Sequence, residues 1–321
     1  MKKLLSNSVL LFMVIITIAS CSKQTDLKNS NSVAASSLNN ATAICQPVYF
    51  QLSVSATGDS YMYRVLGSPS SGPVIPTPII GSFGDHVIRE MGSNIPITWV
   101  TGIAYDTTSP GTFFATTGPA SNRPNRLLRF LLSDVNMASH VPLVASIGTL
   151  VLNVSDIEFN QASGRYYAIN RGTVSPNNRI VEIIPANAIN VIALSSAVPV
   201  ARQIRGLTFS CNTSGIVQGY VMKMFGQNGR LFSFNTTTGA TTLACNYSGV
   251  VAPGAAPGTS PEMGLHYDCL CINKFITGNY DVFSGAGIYT DGVPACIGTF
   301  SYASLPYSSA SIDRPVDFAT P

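Results

Sequence analysis

Charged residues are scarce in this chain, at 10% of 321, against roughly 25% in an ordinary soluble domain. Ser, Thr, Asn and Gly fill the polar positions instead. Long surface helices draw on Glu, Lys, Arg and Ala, so this scarcity argues against a helical protein. The net charge is only +3, and two of the positives are Lys2 and Lys3 at the extreme N-terminus. The rest is near neutral, which excludes nucleic-acid binding, because that needs a basic patch. Arg123, Arg126 and Arg129 form the one local cluster of cations, read as a solvated strand-and-loop face. Past the N-terminus no apolar run reaches the ~18 residues of a membrane-spanning helix. There is no Gly-x-Ser-x-Gly elbow, phosphate loop, His-Glu-x-x-His or dinucleotide fingerprint. Histidine is rare (His86, His140 and His266), and none shows a Ser or Asp partnership in the sequence.

The apolar residues are therefore the informative ones, and they begin at once. Met1-Lys2-Lys3 is basic, Leu4 to Ile18 is mostly apolar, and Ile18-Ala19-Ser20-Cys21 follows. A basic start, an apolar core and small residues at a cleavage point describe an export signal. Small residues running into a cysteine resemble the lipobox of bacterial lipoproteins. The resemblance implies that residues 1–20 are removed and that Cys21 becomes the lipidated first residue. The lipid then ties the chain to a membrane, with Ser22 after the cysteine favouring the outer membrane. Residues 21–44 are rich in Ser and Asn and nearly devoid of large apolar side chains. Such a stretch cannot bury enough surface to fold alone and predicts a flexible tether. The folded domain is expected over 45–321.

That domain repeats itself. One phrase returns: a small or acidic residue, an aliphatic, any residue, then an aromatic. It occurs as Gly102-Ile103-Ala104-Tyr105, Asp156-Ile157-Glu158-Phe159, Gly206-Leu207-Thr208-Phe209 and Gly264-Leu265-His266-Tyr267, with a weaker Pro315-Val316-Asp317-Phe318. The aliphatic positions 103, 157, 207, 265 and 316 recur about every fifty residues. Alternation with period two makes each phrase a strand with one strongly apolar face. A second apolar run follows (Phe113-Phe114-Ala115, Tyr166–Ile169, Tyr220-Val221-Met222), then a third strand at Arg126–Phe130, Arg179–Ile183 or Arg230–Phe234. A fourth, such as Leu143–Ile147, closes the unit. Four antiparallel strands per repeat of about 40–50 residues is the blade of a β-propeller.

The chain ends fit together. Val48 to Ser82 offers three strands (Tyr49–Val54, Tyr61–Val65 and Thr77–Ser82) but no opening phrase, whereas Asp313 to Thr320 offers the phrase alone. Together they make one blade, and such sharing removes exposed sheet edges. Counting it, the expectation is an all-β fold: a β-propeller of five four-stranded blades, the last shared between the N- and C-termini. A β-sandwich or β-solenoid is the alternative. Gly229-Arg230-Leu231-Phe232-Ser233-Phe234-Asn235-Thr236-Thr237-Thr238-Gly239 resembles the strand-and-turn wording of bacterial propeller repeats, such as the YVTN, NHL and SMP-30-like groups.

Beyond Cys21 there are Cys45, Cys211, Cys245, Cys269, Cys271 and Cys296. An even number in an exported chain permits disulfides. Cys211 and Cys269 each lie two residues after the aromatic of an opening phrase, and Cys245 and Cys296 lie in the fourth strands of the same repeats. That register suggests Cys211–Cys245 and Cys269–Cys296, with Cys45–Cys271 joining the shared blade to its neighbour. Buried free thiols are the alternative. Cys269-Leu270-Cys271 lacks the spacing of a zinc knuckle.

Propellers usually bind ligands at one mouth of the central channel, beside the residues that precede each first strand. Here the resemblance points to Trp99, Asn153, Arg205, Glu262, Asp313 and Arg314. Glu158, Thr208, His266 and Asp317 share one register within the first strands. They either converge on the channel or hydrogen-bond neighbouring strands. Glycoside hydrolysis needs two carboxyls roughly 5–10 Å apart, and Asp156, Glu158, Glu262 and Asp317 come from three repeats. The expected function is a monomeric, non-catalytic envelope module that binds a protein or glycan without a cofactor. The alternative is a propeller hydrolase, either a glycosidase or a metal-dependent lactonase, for which calcium is the possible metal.

Overall fold

The computed structural model describes residues 48–55, 57–67, 74–146, 150–171, 179–185, 190–194, 204–210, 219–225, 228–248, 264–268, 274–281, 286–292, 301–306 and 314–319. All of them belong to one compact unit, Ala43–Pro321. Among them there are strands, turns and bends but no helix, as the shortage of charge predicts.

The strands form five sheets. β1 (Val48–Val54), β2 (Ser60–Leu66) and β3 (Ile75–Pro78) make an N-terminal meander. A second sheet contains β4 (Val100–Asp106), β5 (Thr112–Thr117), β6 (Arg126–Leu131) and β7 (Asp134–Pro142). The third is built from β8 (Val144–Ala145), β9 (Val154–Asn160), β10 (Arg165–Asn170), β11 (Arg179–Ile184) and β12 (Asn190–Ala193), in the order β8-β12-β11-β10-β9. The fourth holds β13 (Ile204–Phe209), β14 (Gly219–Phe225), β15 (Asn228–Phe234) and β16 (Thr241–Ser248). The fifth holds β17 (Leu265–Asp268), β18 (Lys274–Asp281), β19 (Ala286–Gly292) and β20 (Ser301–Pro306). The last strand, β21 (Arg314–Ala319), returns to pair with β1, so the first sheet reads β21-β1-β2-β3. The two chain ends are thus joined in one sheet.

Each opening phrase becomes the first strand of its sheet, and the first strands lie beside one another. β4 packs against β9, β9 against β13, β13 against β17, β17 against β21 and β21 against β4. The cores lie between consecutive sheets. Phe50, Leu52 and Met62 of the first sheet pack with Ile103, Phe113, Leu128 and Phe130 of the second. Phe50 meets Phe113 edge-on, with ring centroids 4.9 Å apart. On β10, Tyr166 and Ala168 face the second sheet, whereas Tyr167 and Ile169 face Leu207, Phe209 and Phe234 of the fourth. A strand covered on both faces needs apolar residues at every position. That is why the second strands read as unbroken apolar runs.

Two strand boundaries differ from the sequence reading. The second sheet closes with Asp134–Pro142, not with Leu143–Ile147. A tight reversal sets Leu131 opposite Asp134 and starts the return strand at once. The polar alternation of Asp134–His140 hid it. Val144–Ala145 instead joins the third sheet, in parallel with β12. The third strand of the first sheet ends at Pro78, not Ser82. The Asp134 and Asn136 side chains accept hydrogen bonds from the amides of Ser82 (3.0 Å) and Phe83 (2.9 Å) and draw the chain towards β7. An excursion over 79–98 follows, and it buries Ile88 and Ile97 completely in the first core.

Removal of residues 311–321 should strip a strand from the first sheet and expose the β1 edge that β21 pairs with. The truncated chain is expected to lose cooperative thermal unfolding, followed by far-ultraviolet circular dichroism. A sharp transition at the full-length melting temperature would contradict a sheet shared between the ends.

Candidate functional site

The site is built by the glycines of the opening phrase. A Cβ on Gly102 would overlap the Asp156 backbone, one on Gly206 would overlap Leu265, and one on Gly264 would overlap Asp317. These residues are small because adjacent first strands nearly touch there. Such strands share few ladder bonds, so their buried amides need other acceptors. Side chains supply them. Ile103 N–H donates to Asp317 Oδ2 at 2.7 Å, Leu207 N–H donates to Asp156 Oδ2, and Tyr267 N–H donates to Thr208 Oγ1 at 2.9 Å. The Thr101 hydroxyl donates to the Val154 carbonyl at 2.9 Å.

Ionisable side chains on these first strands are buried. Asp317 is 0% exposed, Asp156 1%, His266 4% and Glu158 8%. The Asp156 carboxyl lies close enough to Asp317 to feel its charge. Glu158 Oε2 lies 3.7 Å from His266 Nδ1. Burial pushes Asp156 well above the usual carboxyl range, and the nearby Asp317 and Glu158 charges add to the shift against the opposing Leu207 amide. Burial likewise raises Glu158, opposed by the Phe159 amide. Asp156 also has a φ of 50°, a left-handed conformation that Asp and Asn tolerate better than most residues. Asp317 and Thr208 therefore follow the hydrogen-bonding alternative of the sequence reading, Asp156 makes a tie of the same kind, and Glu158 and His266 approach each other.

The other expected residues are spread more widely. Trp99 sits where the β1–β2 and β5–β6 turns meet. Its amide donates to the Gly58 carbonyl at 2.8 Å, and its carbonyl accepts from Gly118 at 3.4 Å. Its φ is 53°, unusual for so bulky a residue. The indole lies over Gly58, where no Cβ would fit, and is partly buried against the first core. Asn153 is anchored through its backbone: its amide donates to Asn170 Oδ1 at 2.7 Å, and its carbonyl accepts from Arg171 at 2.8 Å. Arg205 falls at a register shift in β13, and Arg314 begins β21. Glu262 and Asp313 lie outside the described residues, as do Cys21, Cys45, Cys211, Cys269, Cys271 and Cys296. Cys245, on β16, is disulfide-bonded and buried. Among the described residues no group of three or more His, Cys, Asp or Glu could hold a metal ion.

Sequence reasoning missed one cluster. Glu90, on the excursion, accepts hydrogen bonds from Arg123 (2.6 Å) and Ser93 (2.7 Å) and meets His140 Nε2 at 2.6 Å. Arg123 is therefore ion-paired rather than merely solvated, and His140 has a carboxylate partner 50 residues away. No local spacing signals either contact. His86 likewise reaches the Tyr63 hydroxyl at 3.0 Å.

No protein-family model matches this sequence, and no curated protein matches it. Among solved structures, it is similar to an exo-β-1,3-galactanase from Phanerochaete chrysosporium bound to galactose. That match has 13% identity and a TM-score of 0.45, and covers 70% of this chain and 52% of the other. An exo-β-1,3-galactanase from Clostridium thermocellum gives 10% identity and a TM-score of 0.45, covering 71% and 51%. Apo AztD from Citrobacter koseri gives 11% and 0.34, covering 83% and 73%. The chain thus spans about half the length of the galactanases. Likenesses this distant leave the function to be argued from the site.

Gly102→Ala and Gly264→Ala should each force adjacent first strands apart and cost about 1–3 kcal/mol, the range for overpacking a filled interior. Unchanged melting temperatures in both variants would refute the close approach. A second expectation concerns acid. Hydrogen bonds from Arg123, then His140 and Ser93, lower Glu90 from its ordinary 4.5 to about 2. A lowered carboxyl stabilises the fold above its unfolded value, and that contribution is lost as pH falls. Glu90→Gln should therefore lose less stability than the parent between pH 4.5 and about 2, as measured by urea unfolding. Equal losses would show that the cluster contributes nothing to the fold.

Proposed function

We propose that the chain is an exported, lipid-anchored binding module. Its five sheets are the blades of a β-propeller closed by the shared first sheet, and it takes a glycan or protein on the face that carries Trp99. The burial of the central acids carries the reading. Asp156 and Asp317 are 1% and 0% exposed and accept backbone amides from adjacent strands. A carboxyl that attacks or protonates a substrate must touch it, and these two are spent on the fold. Trp99, by contrast, is partly exposed between two turns with its backbone in a left-handed conformation. Backbone strain of this kind clusters at binding sites, and an indole offers a flat, amphipathic surface. The disulfide at Cys245 supports export to an oxidising compartment. The leader and Cys21 support the lipid anchor, with the outer membrane as its destination.

A second reading is hydrolysis. The observation in its favour is Glu158, a carboxyl raised by burial and set 3.7 Å from the His266 imidazole. Raised carboxyls serve as general acids.

Trp99 is the sole tryptophan, so intrinsic fluorescence reports on that position alone. Titration with soluble oligosaccharides, β-1,3-galactans among them, and with envelope protein fractions should shift its emission saturably. Trp99→Ala should weaken retention of the same ligand at least tenfold, while Glu158→Gln leaves it intact. Release of sugar from an oligosaccharide by the parent, abolished by Glu158→Gln, would replace the binding reading with the hydrolytic one. Full retention by Trp99→Ala would exclude the Trp99 face.

A further inference from the structure

We propose that Cys245 is bonded to Cys296, so that a disulfide staples the fourth sheet to the fifth instead of closing a loop inside the fourth. Cys245 is disulfide-bonded and buried. Its place in the sheet selects the partner.

The face of the sheet comes first. Cys245 stands opposite Leu231, Leu231 opposite Met222, and Met222 opposite Gly206. Residues directly opposite one another in antiparallel strands share a face, so this row runs across one face from β13 to β16. At its inner end, a Cβ on Gly206 would meet Leu265 of the fifth sheet. The neighbouring residues on β13 and β15, Leu207 and Phe232, lie on the other face and pack with Tyr167 of the third sheet. Alternation along a strand keeps these two sets apart. Cys245 therefore faces the fifth sheet.

Chain reach comes second. The row from Gly206 to Cys245 crosses three strand spacings, about 14 Å. Phe209 lies three residues along β13 from Gly206, about 10 Å away. The diagonal from Phe209 to Cys245 is therefore roughly 17 Å. Cys211 is two residues beyond Phe209 and can lie at most about 8 Å from it. A gap of roughly 10 Å remains, whereas disulfide-bonded residues have Cα atoms within about 7 Å. Pairing inside the fourth sheet, the arrangement suggested by the register of the sequence, is out of reach. Cys45 leads into β1 of the first sheet, and the fifth sheet stands between the first and the fourth, since β17 packs against both β13 and β21.

Three cysteines remain on the correct side. Cys269 and Cys271 fall in the connection from β17 to β18, the first and second strands of their sheet. Cys296 falls in the connection from β19 to β20, the third and fourth. The two sheets stack with strands of like rank side by side, as β13 and β17 do. Cys245 is on β16, the fourth strand of its own sheet, so Cys296 is the sulfur of matching rank. The bond holds the outer end of a seam whose inner end is the close approach of Gly206 to Leu265.

The test maps the disulfides of the full chain, purified without reductant and with free thiols alkylated. Trypsin cannot resolve the question, because no Lys or Arg lies between Arg230 and Lys274, and Cys245, Cys269 and Cys271 stay on one peptide. Chymotrypsin separates them by cleaving after Tyr247, Tyr267 and Leu270. Mass spectrometry should find the Cys245 peptide joined to the Cys296 peptide, and reduction should release the two. Cys245 joined to any other cysteine, or carrying the alkylating group, would overturn the proposal. Urea unfolding gives a second measure. Cys245→Ala and Cys296→Ala should each weaken the folding equilibrium on the order of a thousandfold, the effect of releasing a loop of about fifty residues. The double variant should be no weaker than either single one, because both remove the same bond. Losses that add in the double variant would overturn the pairing as well.

Discussion

The near-contact of the first strands sets the terms for everything else in the described fold. Gly102, Gly206 and Gly264 stand where a Cβ would run into the adjacent strand. Strands this close leave buried amides without ladder partners, and Asp317, Asp156 and Thr208 accept from Ile103, Leu207 and Tyr267 instead. Glycine and acceptor are two halves of one device. The glycine allows the approach, and the acceptor satisfies the amide that the approach buries.

The device has an electrostatic consequence. Acceptors on several first strands are buried, so carboxyls accumulate away from water. Burial of isolated ionised carboxylates is costly, and burial here pushes Asp156 and Glu158 above the usual carboxyl range. Asp156 feels the charges of Asp317 and Glu158, and Glu158 lies beside His266. Perturbed acids gathered at one place usually suggest catalysis. Here their burial and their backbone partners give Asp156 and Asp317 a structural account first. The partly exposed Trp99, set between two turns, becomes the more accessible feature.

Away from the centre, the excursion over 79–98 serves the first two sheets. Its Ile88 and Ile97 fill the core between them, while Asp85 and Glu90 tie it to β7 and to Arg123 through side chains. Asn136, fully buried on β7, donates to the Asp85 carboxylate at 2.9 Å and to the Val87 carbonyl at 2.8 Å. This excursion also covers the outer strand of the second sheet, where Glu90 bridges to Ala138 in parallel. The outer strand of the third sheet is covered by β8. Both edges are thereby protected by the same chain.

Periodicity in the sequence determined the strands and their grouping. Alternation along Ile103–Tyr105 or Leu207–Phe209 needs only the period-two geometry of a strand, and the unbroken run Tyr166–Ile169 needs only burial on both faces. The return of the C-terminal strand to β1 was legible too, because each chain end lacked what the other supplied. Polar return strands such as Asp134–Pro142 were not legible, since half of their positions face outward and carry no apolar signal. Nor was the Glu90–Arg123–His140 cluster, whose members are up to 50 residues apart. The sequence marked Asp156, Glu158, His266 and Asp317 as candidates but could not rank contact with a ligand against contact with a neighbour. Only the tertiary structure shows the amides that Asp156 and Asp317 accept and the approach of Glu158 to His266. The accessibility of a carboxyl, and which amide or acid it meets, depend on how closely separate strands approach, and that distance is set by packing rather than by any local pattern of residues.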